Sequence, residues 1–216
     1  MRKNLPKIIF KDKNIKEQKY IKKTIKKNII TNISKNNISL RQIFDKYGTD
    51  KGFRHSYEHI YEYLLKPFIS KSCTLLEFGV LGGASIRSWE EYLPFAKIIG
   101  VDKGQVKNNF SQRVIIKQGK MQDVNFLKTL IETYNNFDII IDDASHKCRD
   151  SKIAFEILFP YINKGGLYII EDINTDKEMV KWLIELTSKE CSYEHKNKPH
   201  SYWTIFAGEL VAFKKL

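Results

Sequence analysis

From Thr74 onward, short unbroken apolar runs alternate with segments of helical periodicity, and no other feature constrains the fold as much. The runs TLLEFG (74–79), AKIIGVD (96–102), RVIIKQG (113–119), FDIIIDD (137–143) and GLYIIEDI (166–173) lack the polar alternation of a half-solvated strand. Runs of this kind suit strands buried on both faces, which implies a parallel sheet covered by helices. Covering helices are predicted near 84–93, 123–134, 147–160 and 176–189. The ending SYWTIFAGELVAFKKL differs, since two strand-like runs meet at Ala207 and Gly208 with no room for a crossover helix. The last strand is therefore expected to enter antiparallel, completing a doubly wound α/β sheet of seven strands on residues 70–216.

Two helices are predicted ahead of the sheet. Leu40, Ile43, Phe44 and Tyr47 form an apolar stripe that stops at Gly48, and a second stripe runs from Tyr57 through Ile60, Tyr61, Leu64 and Leu65 to Pro67. Residues 40–69 read as a helical cap, and residues 1–39 as a leader rich in Lys, Asn and Ile. Within the leader, Ile15, Ile21, Ile25, Ile29 and Ile33 recur at helical spacing. Such a helix would pack on the body or on a neighbouring subunit, making a homo-oligomer, with a membrane-surface helix as the alternative. The net charge of +12 is concentrated in this region: residues 1–40 carry 12 Lys or Arg against 2 acids, leaving 25 against 23 for the rest. Aromatic residues that would stack on bases are almost absent from the leader, so its charge reads as a solvated arm and nucleic acid is not the expected partner. No transmembrane run and no secretory signal are evident, and Cys73, Cys148 and Cys191 lack metal-ligand spacing; a reducing, cytoplasmic setting is expected.

Chemistry concentrates at the carboxyl ends of the predicted strands. Glu77 is followed by Gly79, Gly82 and Gly83 between a strand and a helix, where glycine lets the backbone approach a ligand. Asp102 ends the next strand and is suited to accept hydrogen bonds from both hydroxyls of a ribose, although capping a turn is its structural alternative. Two acids around a glycine turn suit an adenosine with a positive sulfonium better than a pyrophosphate. Further along, Asp142 and Asp143 follow one apolar strand and Glu171 and Asp172 another. Four carboxylates at neighbouring strand tips would repel unless a cation neutralised them, which favours a hard metal with oxygen ligands. Capping of the helix near Lys147 by Asp143 or Ser145 is the competing reading.

Five collinear blocks, YGTDKGFRHSYEHIYEYLL, LLEFGVLGGASIRSWEEYLP, IIGVDK, DIIIDDASH and LFPYINKGGLYIIEDI, carry a resemblance from Tyr47 to about Phe213. The chain resembles the metal-dependent sugar and macrolide O-methyltransferases of the mycinamicin and tetracenomycin-rhamnose type, with cephalosporin hydroxylase-like proteins as relatives. This resemblance implies a Rossmann-like class I methyltransferase using S-adenosylmethionine and Mg2+ or a similar divalent ion. It implies that Glu77, Gly79, Gly82, Ser85 and Asp102 line the methionine and ribose parts of the cofactor, and Gln118, Gly119 and the segment to Asp123 its adenine. Lys51, His55 and Tyr57 would close the site, and Asp142 would face the cofactor. Asp143, Glu171 and Asp172 would bind the metal, with His146 as general base toward a sugar hydroxyl. Three departures stand out: Ala144 replaces the family's commoner glycine, Lys120-Met121 follows Gly119, and INTDKEMVKW replaces the aromatic, glycine-rich acceptor loop. The rival functions are an RNA 2′-O-methyltransferase and a non-catalytic cofactor-binding subunit.

Overall fold

Buried β-branched runs set the architecture. The structure, a computed structural model, describes residues 8–10, 38–188, 192–195 and 198–216. The isoleucine stripe of the leader, Ile15 to Ile33, lies outside the described residues, as does Cys191. In chain order the strands are β1 (Ile8–Phe10), β2 (Cys73–Phe78), β3 (Ala96–Asp102), β4 (Val114–Gln118), β5 (Phe137–Asp142), β6 (Ile162–Ile170), β7 (Ser192–His195), β8 (Lys198–Ala207) and β9 (Leu210–Lys215). The helices are α1 (Leu40–Tyr47), α2 (Asp50–Phe53), α3 (Glu58–Leu65), α4 (Ala84–Tyr92), α5 (Val124–Tyr134), α6 (Cys148–Leu158) and α7 (Lys177–Ser188). Among the described residues, no helix is long and apolar enough to cross a membrane.

All seven strands read from the sequence are present, in the order β8-β9-β6-β5-β2-β3-β4. Strands β2 to β6 pair in parallel, and β9 inserts antiparallel beside β6. Two short strands extend the arrangement: β1 lies antiparallel on β8, as does β7. Both add to an edge with three or four residues, too few to show a period in sequence. The Ile-Ile-Phe triplet of β1 is extended, ahead of the stretch from Ile15 to Ile33 on which a helix is expected. Helix α2 also escaped the sequence reading, since four residues containing Gly52 give no periodic signal.

The pleat assigns each strand residue to one of two cores. On one face Leu75, Ile98, Ile139, Ile141 and Ile169 pack with α1, α3 and α4, where the Trp89 ring lies 5.4 Å from Phe44 and 4.8 Å from Tyr61. Residues 40–69 therefore share one core with the sheet. Their first helix is fixed at both ends, by a reciprocal Ser39–Gln42 capping box and by Gly48 in the left-handed region. On the opposite face, Leu76, Ile140, Tyr168 and Ile170 pack with α5, α6 and α7. Phe155 is the centre there, with ring centroids of Phe159, Phe213 and Tyr168 at 4.8, 4.9 and 5.0 Å.

The chain leaves β2 toward β3 and β4, then crosses back to lay β5 against the other side of β2. Adjacent loops diverge at this reversal and open a crevice at the carboxyl ends of the strands. Because Phe155 is fully buried at the centre of its aromatic cluster, Phe155→Ala is expected to lower the unfolding free energy by about 3–5 kcal/mol, measured by urea denaturation.

Candidate active site

Strand parity decides which acids meet. Glu77 pairs with Ile141 across β2 and β5, and Ile141 with Ile169 across β5 and β6. Continuing by two, Asp143 and Glu171 share the face of Ile141 and Ile169, whereas Asp142 turns to the other face. Lys51, delivered by α2, enters among the first group and is 1% exposed. Its Nζ lies 2.5 Å from Asp143 Oδ2, 2.8 Å from Glu171 Oε2 and 3.6 Å from Glu77 Oε1. Tyr61 donates its hydroxyl to Glu171 Oε1, and Ser85 donates to Glu77 Oε2 at 3.0 Å.

This geometry corrects the electrostatic argument made from sequence. The four acids at the strand tips do not crowd together, because the pleat separates Asp142, and a buried lysine already neutralises part of the charge. Burial pushes the Asp142 carboxyl up to about 7, and among the described residues its Oδ2 has no hydrogen-bond partner. Burial likewise raises Glu77 to about 7 against the pull of Lys51, and Glu171 well above the carboxylate range. Burial alone would lower Lys51, but Asp143, Glu171 and Glu77 outweigh it and hold the ammonium well above its ordinary value.

A second ring of polar groups lies further out. Asp172 and His146 both adopt left-handed backbone, each with φ 52°. Ser56 and Leu81, in the loops that carry the expected site residues, also have positive φ, so strained positions gather near the site. His146 Nε2 is 4.0 Å from Asp143 Oδ1 and 3.8 Å from Asp172 Oδ2. One ligand atom each from Asp143, His146 and Asp172 lie within 4.8 Å of one another. Glu171, expected among metal ligands, is absent from this group because its two oxygens are engaged by Tyr61 and Lys51. Tyr57 donates to Asp172 Oδ1 at 2.9 Å, and His55 stacks on the Tyr57 ring. The cap reading of Asp143 fails: Asp176 Oδ2 accepts the Cys148 amide at the start of α6, and Ser145 Oγ accepts from Lys147 N at 3.4 Å and donates to Met121 Sδ at 3.7 Å.

Beside these acids is a cleft of about 430 Å³ with Phe78, Val101 and Met121 on its apolar side and Asp102, Ser145 and Lys147 on its polar side. Gly79, at φ 92°, lets the turn after β2 pack directly on the chain leaving β5, since a Cβ there would sit 1.9 Å from the Asp143 carbonyl oxygen. Asp102 accepts the Leu81 amide through Oδ2 at 2.9 Å and the Gly104 amide through Oδ1 at 2.8 Å, so the carboxylate ties the glycine turn to the end of β3. Gly119 borders the cleft, while Gln118 bonds the Lys103 carbonyl and does not line it. The Asp123 carboxylate caps α5, its Oδ1 accepting the amides of Asn125 and Phe126. The sequence reading missed Tyr61, whose helical spacing signalled only a core residue, and Glu209, which sat in an expected turn. It named Lys51 without its charge-balancing position, which depends on long-range packing.

No family model matches the chain. Its curated relatives include an 8-demethyl-8-alpha-L-rhamnosyl tetracenomycin-C 2′-O-methyltransferase of Streptomyces olivaceus, 34% identical over 60% of this chain and 36% of the relative. A mycinamicin VI 2″-O-methyltransferase of Micromonospora griseorubida is 33% identical over 63% of this chain and 36% of its own length. The chain thus spans about a third of the curated relatives it matches. Among solved structures, the mycinamycin-pathway methyltransferase MycE in complex with Mg, SAH and mycinamycin VI superposes with a TM-score of 0.71 at 25% identity, covering 83% of this chain and 55% of that one. The likeness to sugar O-methyltransferases and the methyltransferase fold read from the sequence are both upheld.

The raised Glu77 makes stability depend on pH with a definite sign. Its folded value of about 7 exceeds the ordinary 4.5, so its favourable contribution is complete below 4.5 and lost as pH rises to 7. Glu77→Gln cannot ionise; relative to the parent it should gain about 3 kcal/mol between pH 4 and 7.5, at about 1.36 kcal/mol per unit. Urea denaturation across that range is the check, and a pH-independent difference would refute the burial argument.

Proposed function

We propose that this chain is an S-adenosylmethionine-dependent O-methyltransferase acting on a sugar hydroxyl, in a glycan or a glycosylated small molecule, in the reducing cytoplasm. The observation that carries the reading is the convergence of Asp143, His146 and Asp172 within 4.8 Å at the open side of the crevice, next to the cleft. The likeness to enzymes whose names specify methylation of sugar hydroxyls adds to it.

The residues fit both the cofactor and a divalent cation. The cleft pairs apolar walls with Asp102, whose oxygens each accept one amide and keep capacity for ribose hydroxyls. Among the described residues the buried Glu77 Oε1, 3.6 Å from Lys51 Nζ, has no hydrogen-bond partner, which leaves an acceptor for the amino-acid end of the cofactor. Asp143 and Asp172 offer hard oxygen donors for Mg2+ or a similar ion, and Glu171 supports them from behind through Lys51. When bound, the cation lowers the pKa of a coordinated hydroxyl, and the sulfonium cofactor supplies the electrophilic methyl.

The chain's own residues then have separable tasks. His146 Nε2 accepts the acceptor's proton, and the neighbouring Asp143 and Asp172 stabilise the imidazolium that results. Lys51 keeps Asp143 in place while leaving its Oδ1 free to face the imidazole. Tyr57 holds Asp172 from the N-terminal side. The sequence INTDKEMVKW after Glu171 forms a short 3-10 turn and then α7, so the acceptor is expected to differ from those of the antibiotic-pathway relatives.

Three variants separate these tasks. Asp102→Ala should weaken S-adenosylhomocysteine binding by about 1–3 kcal/mol in calorimetry. Asp143→Ala should abolish metal-dependent turnover and spare cofactor affinity. His146→Ala should retain both ligands and slow turnover by about 100- to 10,000-fold. Activity is followed as transfer of a labelled methyl group into lysate glycans. Label appearing in RNA, or turnover unaffected by exhaustive chelation, would overturn the proposal.

A further inference from the structure

On the far side of Asp172 lies a second group of donors, made by residues from three distant segments. His55 Nδ1 is 3.6 Å from Asp172 Oδ1 and 3.5 Å from Glu209 Oε2, and one ligand atom from each of the three falls within 4.8 Å of the others. Glu209 sits in the turn between β8 and β9, where Gly208 takes φ 65°. Its backbone carbonyl accepts the Ile173 amide at 3.0 Å, which fixes the turn beside Asp172. Asp172 therefore presents Oδ1 to His55 and Oδ2 to His146.

We propose that His55, Asp172 and Glu209 form a second divalent-cation site, bridged to the first by the Asp172 carboxylate. The spacing argues for an ion over direct hydrogen bonds. A nitrogen and an oxygen that share a proton sit about 2.7–3.2 Å apart, whereas ligands around a cation with bonds of about 2.1 Å are separated by about 3.0 Å when adjacent and about 4.2 Å when opposed. The separations of 3.5 and 3.6 Å fall in the second range. Among the described residues His55 makes no hydrogen bond, its Nε2 lying 3.8 Å from Asp50 Oδ2, although the side chain is only 12% exposed and its ring is held flat against Tyr57. A mixed imidazole and carboxylate set suits manganese or zinc as well as magnesium.

Two cations sharing one carboxylate clamp two oxygens of one substrate. For an acceptor with vicinal hydroxyls, the His146 side would take the reacting oxygen and the His55 side its neighbour. This role rests on the methyl transfer proposed above; the existence of the site does not.

Manganese titration, read by the electron paramagnetic resonance of free Mn2+, tests the site directly. The full chain should bind two ions, and Glu209→Gln should bind one, with at least a tenfold weaker second step. Glu209 is half exposed in its turn, so a circular dichroism spectrum matching the parent is expected of that variant. Asp143→Asn should lose the other ion, and Asp172→Asn should weaken both. One ion that is lost in Asp143→Asn but unchanged in Glu209→Gln overturns the second site and leaves the proposed function standing. No manganese binding at all defeats both.

Discussion

The ammonium of Lys51 is the interaction on which the rest of the site depends. Three carboxylates converge on it in a region nearly closed to water: Glu77 lies within β2, and Asp143 and Glu171 each stand one residue beyond the ends of β5 and β6. Removing one partner from such a buried cluster costs about 3–5 kcal/mol, since the remaining charges lose their compensation. The lysine thus links the N-terminal helices to the carboxyl ends of β2, β5 and β6. It also orients Asp143, one oxygen of which it binds while the other stays turned to His146.

Around that centre, two kinds of carboxylate perform different work. Glu77 and Glu171 are buried and belong to the interior network, with Ser85 and Tyr61 completing their hydrogen bonds. Asp143 and Asp172 are partly exposed and look outward to imidazoles. Local backbone strain supports the division, because both His146 and Asp172 occupy the left-handed region and so leave the direction their strands would otherwise impose.

Much of this was legible in the sequence, for physical reasons that differ by residue. The runs at 96–102 and 137–143 announced strands because both faces of each are buried, and the antiparallel ending followed from a turn too short for a crossover. Gly79 was found from its place between strand and helix, and the structure adds why it must be glycine, namely the Asp143 carbonyl pressed against it. What could not be read is which acids share a face and what lies opposite them. The parity separating Asp142 from Asp143 was available in principle, but the arrival of Lys51 depends on α1 and α3 docking on the sheet. Asp123 and Gln118 followed the family pattern, and the local bonds that they also make, to the α5 amides and to the Lys103 carbonyl, depend on neighbours that no motif shows. Glu209 gave no signal, because a turn residue acquires its neighbours only when β9 inserts beside β6.

The distances along the chain between these partners also bear on how the protein assembles. Lys51 is separated from Asp143 by 92 residues and from Glu171 by 120, and Tyr61 from Glu171 by 110. During synthesis the helices bearing the lysine and tyrosine leave the ribosome long before the acids that need them. Until β6 has been made and has paired with β5, the amphipathic α1 and α3 have an unfinished surface to cover, so closure of the site is a late, long-range event. A nascent chain at that stage has exposed apolar helices and a cation with few counter-charges, a state in which chaperone protection matters more than it does for the finished fold.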